Sequence, residues 1–489
     1  MASSSRNGNG SAPKTGHGPR WDSSLLAEIG SPRSGRRPLN GTKHRSLAPR
    51  TGLTIEHSHS ATTPEPNGKS QRVGLWMIGA CGAVGSTVAL GLAALRKRLV
   101  DTAGMVSELP PFQNVGLVDP GSLVVGGHEV RTETFSDTVN ELHARADLFD
   151  QSVMDRCASQ LQRMQAQIET GTLYGSDSTN RKLASRPGLA KERCPAAAIE
   201  RIAADITDFR RRERLDQVIV VYVASSEPPP PKKAAHASYA KLEKALAKSG
   251  STVLPSSSIY ALAAIEARCP FINFTPSLGI SAPAIQQRAM QLDVPFMGND
   301  GKTGETLVKS ILAPMFAMRN LPVLTWIGHN ILGNRDGVVL RDPRIKASKL
   351  RSKNKSLKAA LGPSATSIVS IEYAPSLDDR KVAWDFVHFK GFLGTKMSLQ
   401  FTWQGCDSAL AAPLVIDLVR FAALHARSGR GGPMRHLACF FKDPLDVEEQ
   451  NLFLQWQMLL THVRKATSAP SPPAETVADR TRKLGCSPA

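Results

Sequence analysis

The uncharged run between Arg72 and Arg96 constrains this chain more than any other feature. It is long enough to cross a bilayer, yet Gly74, Gly79, Gly82, Gly85 and Gly91 interrupt it, and Ser86 and Thr87 sit near its middle. It also lies behind a long polar leader, too deep in the chain for a secretory signal. The pattern predicts a buried strand over Val73–Ile78, a glycine turn, and a helix over Val84–Arg98. The turn reads Gly79-Ala-Cys-Gly82-Ala-Val-Gly85-Ser86. Between a strand and a helix, such glycines let the backbone approach a pyrophosphate while the helix N-terminus offers free N–H groups to the anion. The spacing is GxxGxxG rather than GxGxxG, and a tight turn without a ligand is the plain alternative. The ribose-binding acid expected about twenty residues on is missing; Asp119 and Glu129 are the candidates.

Further along, Val218–Ala224 is a continuous apolar run rich in β-branched residues, as a central parallel strand covered on both faces requires. Short strand material is expected at Val115–Val118 and Leu123–Val125. Helices over Ser256–Ala267 and Ala282–Gln291 flank a strand at Phe271–Phe274. This rhythm argues for a doubly wound, Rossmann-like parallel α/β sheet. From residue 301 the rhythm changes. A helix over Gly304–Met318 precedes three strand-like segments, Ser367–Tyr373, Lys381–Phe389 and Met397–Trp403, the last two alternating as in a sheet with one covered face. An apolar helix over Ala409–Ala426 then resumes the earlier style. The expected organisation is a disordered basic tail (1–70), a dinucleotide-binding domain (71–300), an inserted α+β domain (301–407), a return to the first domain (408–465) and a flexible tail (466–489).

Lysine and arginine exceed aspartate and glutamate by 61 to 42, a net charge of +19 over 489 residues. That excess suits a polyanion, an anionic membrane or a phosphorylated small molecule, and composition alone does not choose. No nucleic-acid-binding fold or aromatic platform accompanies it. The seven cysteines show no CxxC pair, which points away from a disulfide scaffold and from a cysteine zinc site, and toward a reducing cytoplasm.

Other segments carry chemistry. Ser225-Ser226-Glu227 follows the Val218 strand, where doubly wound sheets bind ligands; a proline-rich surface connection is the alternative. Gly298–Thr306 invites a phosphate-loop reading, but Phe296 stands where that motif needs glycine. What remains is a polar turn at a helix N-terminus, with Asp300 at its mouth. Gly328–Gly337, rich in Asn, Asp and Gly, reads as a turn. Lys349 and Lys353 are four apart and share one helical face, either as a solvated basic surface or as a cradle for a phosphorylated substrate. Lys381 heads an apolar strand and Lys442 follows Phe440-Phe441; partly buried lysines serve as acids and bases.

In this order the segments resemble the myo-inositol-1-phosphate synthase family, most closely its shorter archaeal and bacterial members. The glycine turn, Ser225-Ser226-Glu227, Phe274-Thr-Pro-Ser-Leu-Gly279 and Asp300-Gly-Lys-Thr-Gly-Glu-Thr306 carry the likeness. So do His329-Asn-Ile-Leu-Gly-Asn-Arg-Asp-Gly337, Lys349 with Lys353, Arg380-Lys-Val-Ala-Trp-Asp385, Cys406-Asp-Ser408 and Ala412-Pro-Leu-Val-Ile-Asp417. The likeness spans about residues 71 to 460. It implies cyclisation of glucose 6-phosphate to inositol phosphate for inositol and phospholipid biosynthesis, with NAD used and regenerated in one turnover.

The resemblance also implies a cytoplasmic homotetramer whose inserted domain is both site wall and subunit interface, with no membrane or nucleic-acid partner. It places Asp300, Asn330, Asp336, Lys349, Lys353, Lys381, Asp407 and Lys442 in the active site. Lys381 and Lys442 are expected near C5 and O1 of the sugar, and Lys349 and Lys353 at the phosphate and oxyanions. Cofactor contacts fall to Gly79, Gly82, Ala83, Val84, Gly85, Glu129, Ser226, Glu227, Asp300, Asp336, Asp407 and Ser408. A monovalent or divalent cation is expected beside the NAD phosphates, with Asp336 contributing. Three departures stand out: Ser225-Ser226-Glu227 replaces the Asn-Thr-Glu of eukaryotic-type relatives, Ala80-Cys-Gly-Ala-Val84 replaces their asparagine-rich glycine turn, and Glu129 replaces an aspartate. The rival functions are a sugar-phosphate dehydrogenase and a catalytically silent NAD-binding relative.

Overall fold

The computed structural model describes residues 71–468 apart from 190, 232, 348–349 and 351–364. The expectations for residues 1–70 and for nearly all of 466–489 lie outside the described residues. The strands in chain order are β1 (Val73–Ile78), β2 (Val124–Glu129), β3 (Ile168–Thr170), β4 (Gln217–Tyr222), β5 (Phe271–Asn273), β6 (Pro295–Met297), β7 (Val323–Leu332), β8 (Thr366–Tyr373), β9 (Arg380–Lys390), β10 (Lys396–Cys406) and β11 (Gly432–Pro433).

Seven strands form a parallel sheet in the order β11-β6-β5-β4-β1-β2-β3. Both faces are covered, which explains the unbroken apolar runs of β1 and β4. Alternate residues divide between two cores. Leu75, Met77, Ile219 and Val221 pack beneath the helices Ala83–Arg96 and Asp407–Ala426, whereas Trp76, Ile78, Val218 and Val220 pack beneath Pro195–Arg212 and Ser256–Glu266. Ile78 pairs with both His128 and Tyr222, and Tyr222 pairs with Asn273, so the carboxyl ends of four neighbouring strands finish level. Their loops open on one edge, where the strand order reverses.

The second sheet runs β10-β9-β7-β8 and is mixed, with β7 parallel to β8 and the other pairs antiparallel. Helix Gly304–Met318 covers one face through Ala313 and Phe316, against Trp326, Val387, Leu399 and Phe401. The other face carries Trp384, Phe386 and Ile368; Trp384 is 37% and Ile368 47% exposed.

Two sequence expectations fail. Val115–Val118 is not a strand; it leads into a short 3-10 turn at Pro120–Ser122, and β2 begins only at Val124. Gly328–Leu332 belongs to β7 rather than to a turn, because buried partners on the covered face satisfy the polar Asn330 within the sheet. Of the helices, Asp407–Ala426 is long and apolar enough to cross a membrane, but it is mostly buried in the core. Its Asp417 accepts the Val106 and Ser107 amides at 2.6 and 3.0 Å, which anchors the segment after the first helix.

Candidate active site

The glycine turn is built from backbone constraints. Gly79 has φ +81, and a Cβ there would lie 2.7 Å from the Ala224 Cα. A Cβ at Gly85 would lie 2.1 Å from the Ala80 carbonyl oxygen, so only glycine lets the helix start against the turn. Gly82 precedes the helix with no side-chain cap and no acid in the first turn, which leaves the positive end of the helix available to an anion.

The turn opens into a cavity of about 670 Å³, bounded by the carboxyl ends of β1, β2, β4 and β5, the Asp300 loop, and the second sheet. The volume is that of a small-molecule site. Gly79, Gly82, Ala83, Val84, Glu129, Ser226, Glu227, Asp300, Lys381, Asp407, Ser408 and Lys442 all line it. Gly85 does not; it is a packing glycine one step behind the wall.

Lys442 reaches the cavity from the segment after the 3-10 turn Arg435–Phe440, and its ammonium contacts Asp300 Oδ1 at 2.8 Å. The main chains lock this pair: the Lys442 amide donates to the Asp300 carbonyl, and the Asp300 amide to that of Thr275. Asp300 takes the left-handed conformation, φ 61, that a tight loop demands. Lys381, at the start of β9, lies 3.8 Å from Asp407 at the first turn of helix Asp407–Ala426. Beside them Ser408 donates its hydroxyl to Asp379 at 2.5 Å; burial nonetheless pushes the Asp379 carboxyl up to about 6.

Glu129 ends β2 and accepts from the Cys81 amide at 3.0 Å, the Val130 amide at 2.9 Å and the Arg131 guanidinium at 3.3 Å. Its carboxylate therefore also pins the glycine turn to the neighbouring strand. Glu227 is buried at the start of helix Ser256–Glu266, where Ser256 and the Ser257 amide donate to it; burial still raises its pKa.

Other expectations fall elsewhere. Asn330 does not line the cavity among the described residues; alternation along β7 turns it to the covered face, where its amide donates to Glu305 at 3.3 Å. Nearby, the Lys309 ammonium meets Glu305 at 2.5 Å and Asp385 at 2.9 Å. Burial opposes that charge, but the two acids outweigh it and hold Lys309 above the ordinary lysine value. Asp119 is exposed and apart from the cavity. Lys302 is also outside it, donating to Gln455 at 2.8 Å. Lys349, Lys353 and the Asp336 side chain lie outside the described residues.

Sequence reasoning missed Asp379, Arg131 and His128, which line the cavity. The acid run Asp378-Asp379 before Arg380-Lys381 was a visible signal for the first. His128 accepts from Trp76 and lies 3.0 Å from Asp205, pairings that local sequence does not announce.

A family model for myo-inositol-1-phosphate synthase matches residues 73–464. The chain belongs to the myo-inositol-1-phosphate synthase family. Within it, inositol-3-phosphate synthase 1 of Bacteroides thetaiotaomicron is 32% identical over 428 residues, covering 82% of this chain and 97% of that one. Inositol-3-phosphate synthase of Mesembryanthemum crystallinum is 26% identical, over 75% of this chain and 69% of that one. The crystal structure of inositol-3-phosphate synthase from Caenorhabditis elegans superposes with a TM-score of 0.71 at 21% identity, covering 86% of this chain and 90% of that chain, and so shares the fold. As a member of this NAD-binding enzyme family, the chain carries the cavity where its parallel sheet and second sheet meet.

Proposed function

We propose that this chain is an inositol-3-phosphate synthase. It converts D-glucose 6-phosphate to 1D-myo-inositol 3-phosphate by oxidation at C5, enolisation, aldol closure of C6 onto C1, and reduction of the C5 ketone. One observation carries the reading: Lys381 and Lys442, brought in by different elements, line the same cavity as the glycine turn. The uncapped helix start and the glycine cradle fit a dinucleotide pyrophosphate. Bound NAD supplies a hydride acceptor and then a hydride donor, so the overall reaction is redox-neutral.

The chain's own residues do the rest. Gly79, Gly82, Ala83 and Val84 would hold the pyrophosphate, and Glu129, Ser226, Glu227, Asp300, Asp407 and Ser408 would border the remainder of the cofactor. Lys381 and Lys442 act near C5 and O1, each kept in place by a carboxylate partner, and stabilise alkoxide and enolate oxygens as charge develops. Asp379, with its carboxyl near 6, exchanges a proton with the site at neutral pH. Lys349 and Lys353 would bind the phosphate and oxyanions, and Asp336 would contribute to a cation site.

The same reading makes the protein a cytoplasmic homotetramer. The exposed aromatic face of the second sheet supports the assembly, and six free cysteines among the described residues support the compartment.

Incubation with glucose 6-phosphate and NAD, followed by phosphorus NMR, tests the activity. Inositol phosphate without net NADH is expected. Steady NADH accumulation would make the protein a dehydrogenase, and no turnover a silent binder.

A further inference from the structure

Away from the cavity, three histidines from three separate segments meet. His425 lies in the last turn of helix Asp407–Ala426, His436 in the 3-10 turn Arg435–Phe440, and His462 on the C-terminal helix Leu452–Ser468. One ring nitrogen from each lies within 4.8 Å of the others. The rings of His436 and His462 stack at 3.6 Å and 5°, with His425 at 5.1 and 5.3 Å from them. They border a second cavity, which Met458 and Thr461 also line.

Stacked imidazoles supply some packing, but packing does not explain the nitrogens. His436 Nε2 is buried with no hydrogen-bond partner, and the buried ring nitrogens of His425 have only the Arg430 backbone beside them. A buried polar atom left unpaired costs about 1–3 kcal/mol, and convergent unpaired imidazole nitrogens are what a borderline divalent ion binds.

The geometry points to a three-histidine site for a zinc-class divalent ion, built by His425, His436 and His462, with a fourth position open to water or an anion. Metal–nitrogen bonds of about 2.0–2.1 Å in a tetrahedron place the nitrogens about 3.4 Å apart; binding therefore turns the stacked rings of His436 and His462 out of parallel, so that both lone pairs aim at one ion. No carboxylate joins the set, and Lys465 and Arg435 line the same cavity; the ion keeps its charge and draws an anion into the fourth position. The role is structural. The ion clips the C-terminal helix and the end of helix Asp407–Ala426 to the turn that leads directly into Lys442.

The test uses the full chain, stripped with a chelator and titrated with Co²⁺, then Zn²⁺. One equivalent of Co²⁺ should develop the intense visible bands of a four-coordinate ion, and Zn²⁺ should abolish them. Zinc at about a hundred times its dissociation constant should shift the folding equilibrium about a hundredfold toward the native state. His462→Gln, at a half-buried position, and His425→Gln should each lose the bands and the zinc-dependent rise in melting temperature. Weak six-coordinate Co²⁺ spectra in the native protein would overturn the proposal. So would four-coordinate bands that persist unchanged in both variants, because the ion would then sit at other histidines or in the nucleotide cavity.

Discussion

The two sheets contribute to the cavity in opposite ways. The parallel sheet is buried on both faces and meets the cavity with level strand ends, a glycine turn and an uncapped helix start, to which its loops add Glu129, Glu227 and the Asp300–Lys442 pair. The mixed sheet, with the helix that follows it, offers charged side chains, namely Lys381, Asp379 and Asp407. Backbone recognition tolerates almost no added atom, because a Cβ has nowhere to go in a close-packed turn. Side-chain chemistry tolerates shape changes nearby but not loss of the charge itself. The lesson is a division of labour: steric exactness in the glycine turn, electrostatics in the charged side chains that both sheets bring around it.

Four substitutions test that division, in falling order of effect. Gly85→Val should remove more than about 4 kcal/mol of stability, or prevent folding, since its Cβ meets the Ala80 carbonyl at 2.1 Å. Urea unfolding measures this; a stable variant with native NAD affinity would break the claim for the turn.

Lys381→Ala should lower kcat about 10²- to 10⁴-fold while NAD affinity, read by fluorescence titration, stays unchanged. Equal losses in both would show that the mixed sheet also builds the cofactor cradle.

Lys309→Met leaves Glu305 and Asp385 buried without their shared cation, a loss of about 3 kcal/mol. NAD affinity should again hold, and denaturation against nucleotide titration separates the two effects.

The smallest effect is one of pH. Asp379 has a folded-state pKa of about 6, raised from 3.8. A raised carboxyl favours the native state when protonated, so its contribution is complete below about pH 4 and lost as pH climbs through 6. Relative to Asp379→Asn, the native protein should lose at most about 3 kcal/mol of stability across that window. A difference curve that is flat, or that rises with pH, would contradict the burial of this carboxyl.

Much of the parallel sheet was legible in the chain. β1 and β4 announce themselves because strands covered on both faces must be apolar throughout, and helix Gly304–Met318 was readable from its spacing. β7 was not, since glycine, histidine and asparagine imitate a turn until Glu305 and Trp384 are placed around them. The acid at the end of β2 was obscured for a different reason. Short turns between Val106 and Ser122 lengthen the connection, so Glu129 arrives far later than the usual spacing allows.

Local sequence determined the strand–glycine–helix unit, because periodicity and the absence of a Cβ act within a few residues of one another. It also identified Lys381 and Lys442 as lysines in apolar surroundings. Only the tertiary structure decided that they share one cavity, that Asp379 sits beside Ser408, and that His425, His436 and His462 meet at all. Those relations depend on contacts between segments distant in the chain, and the packing of whole elements sets them.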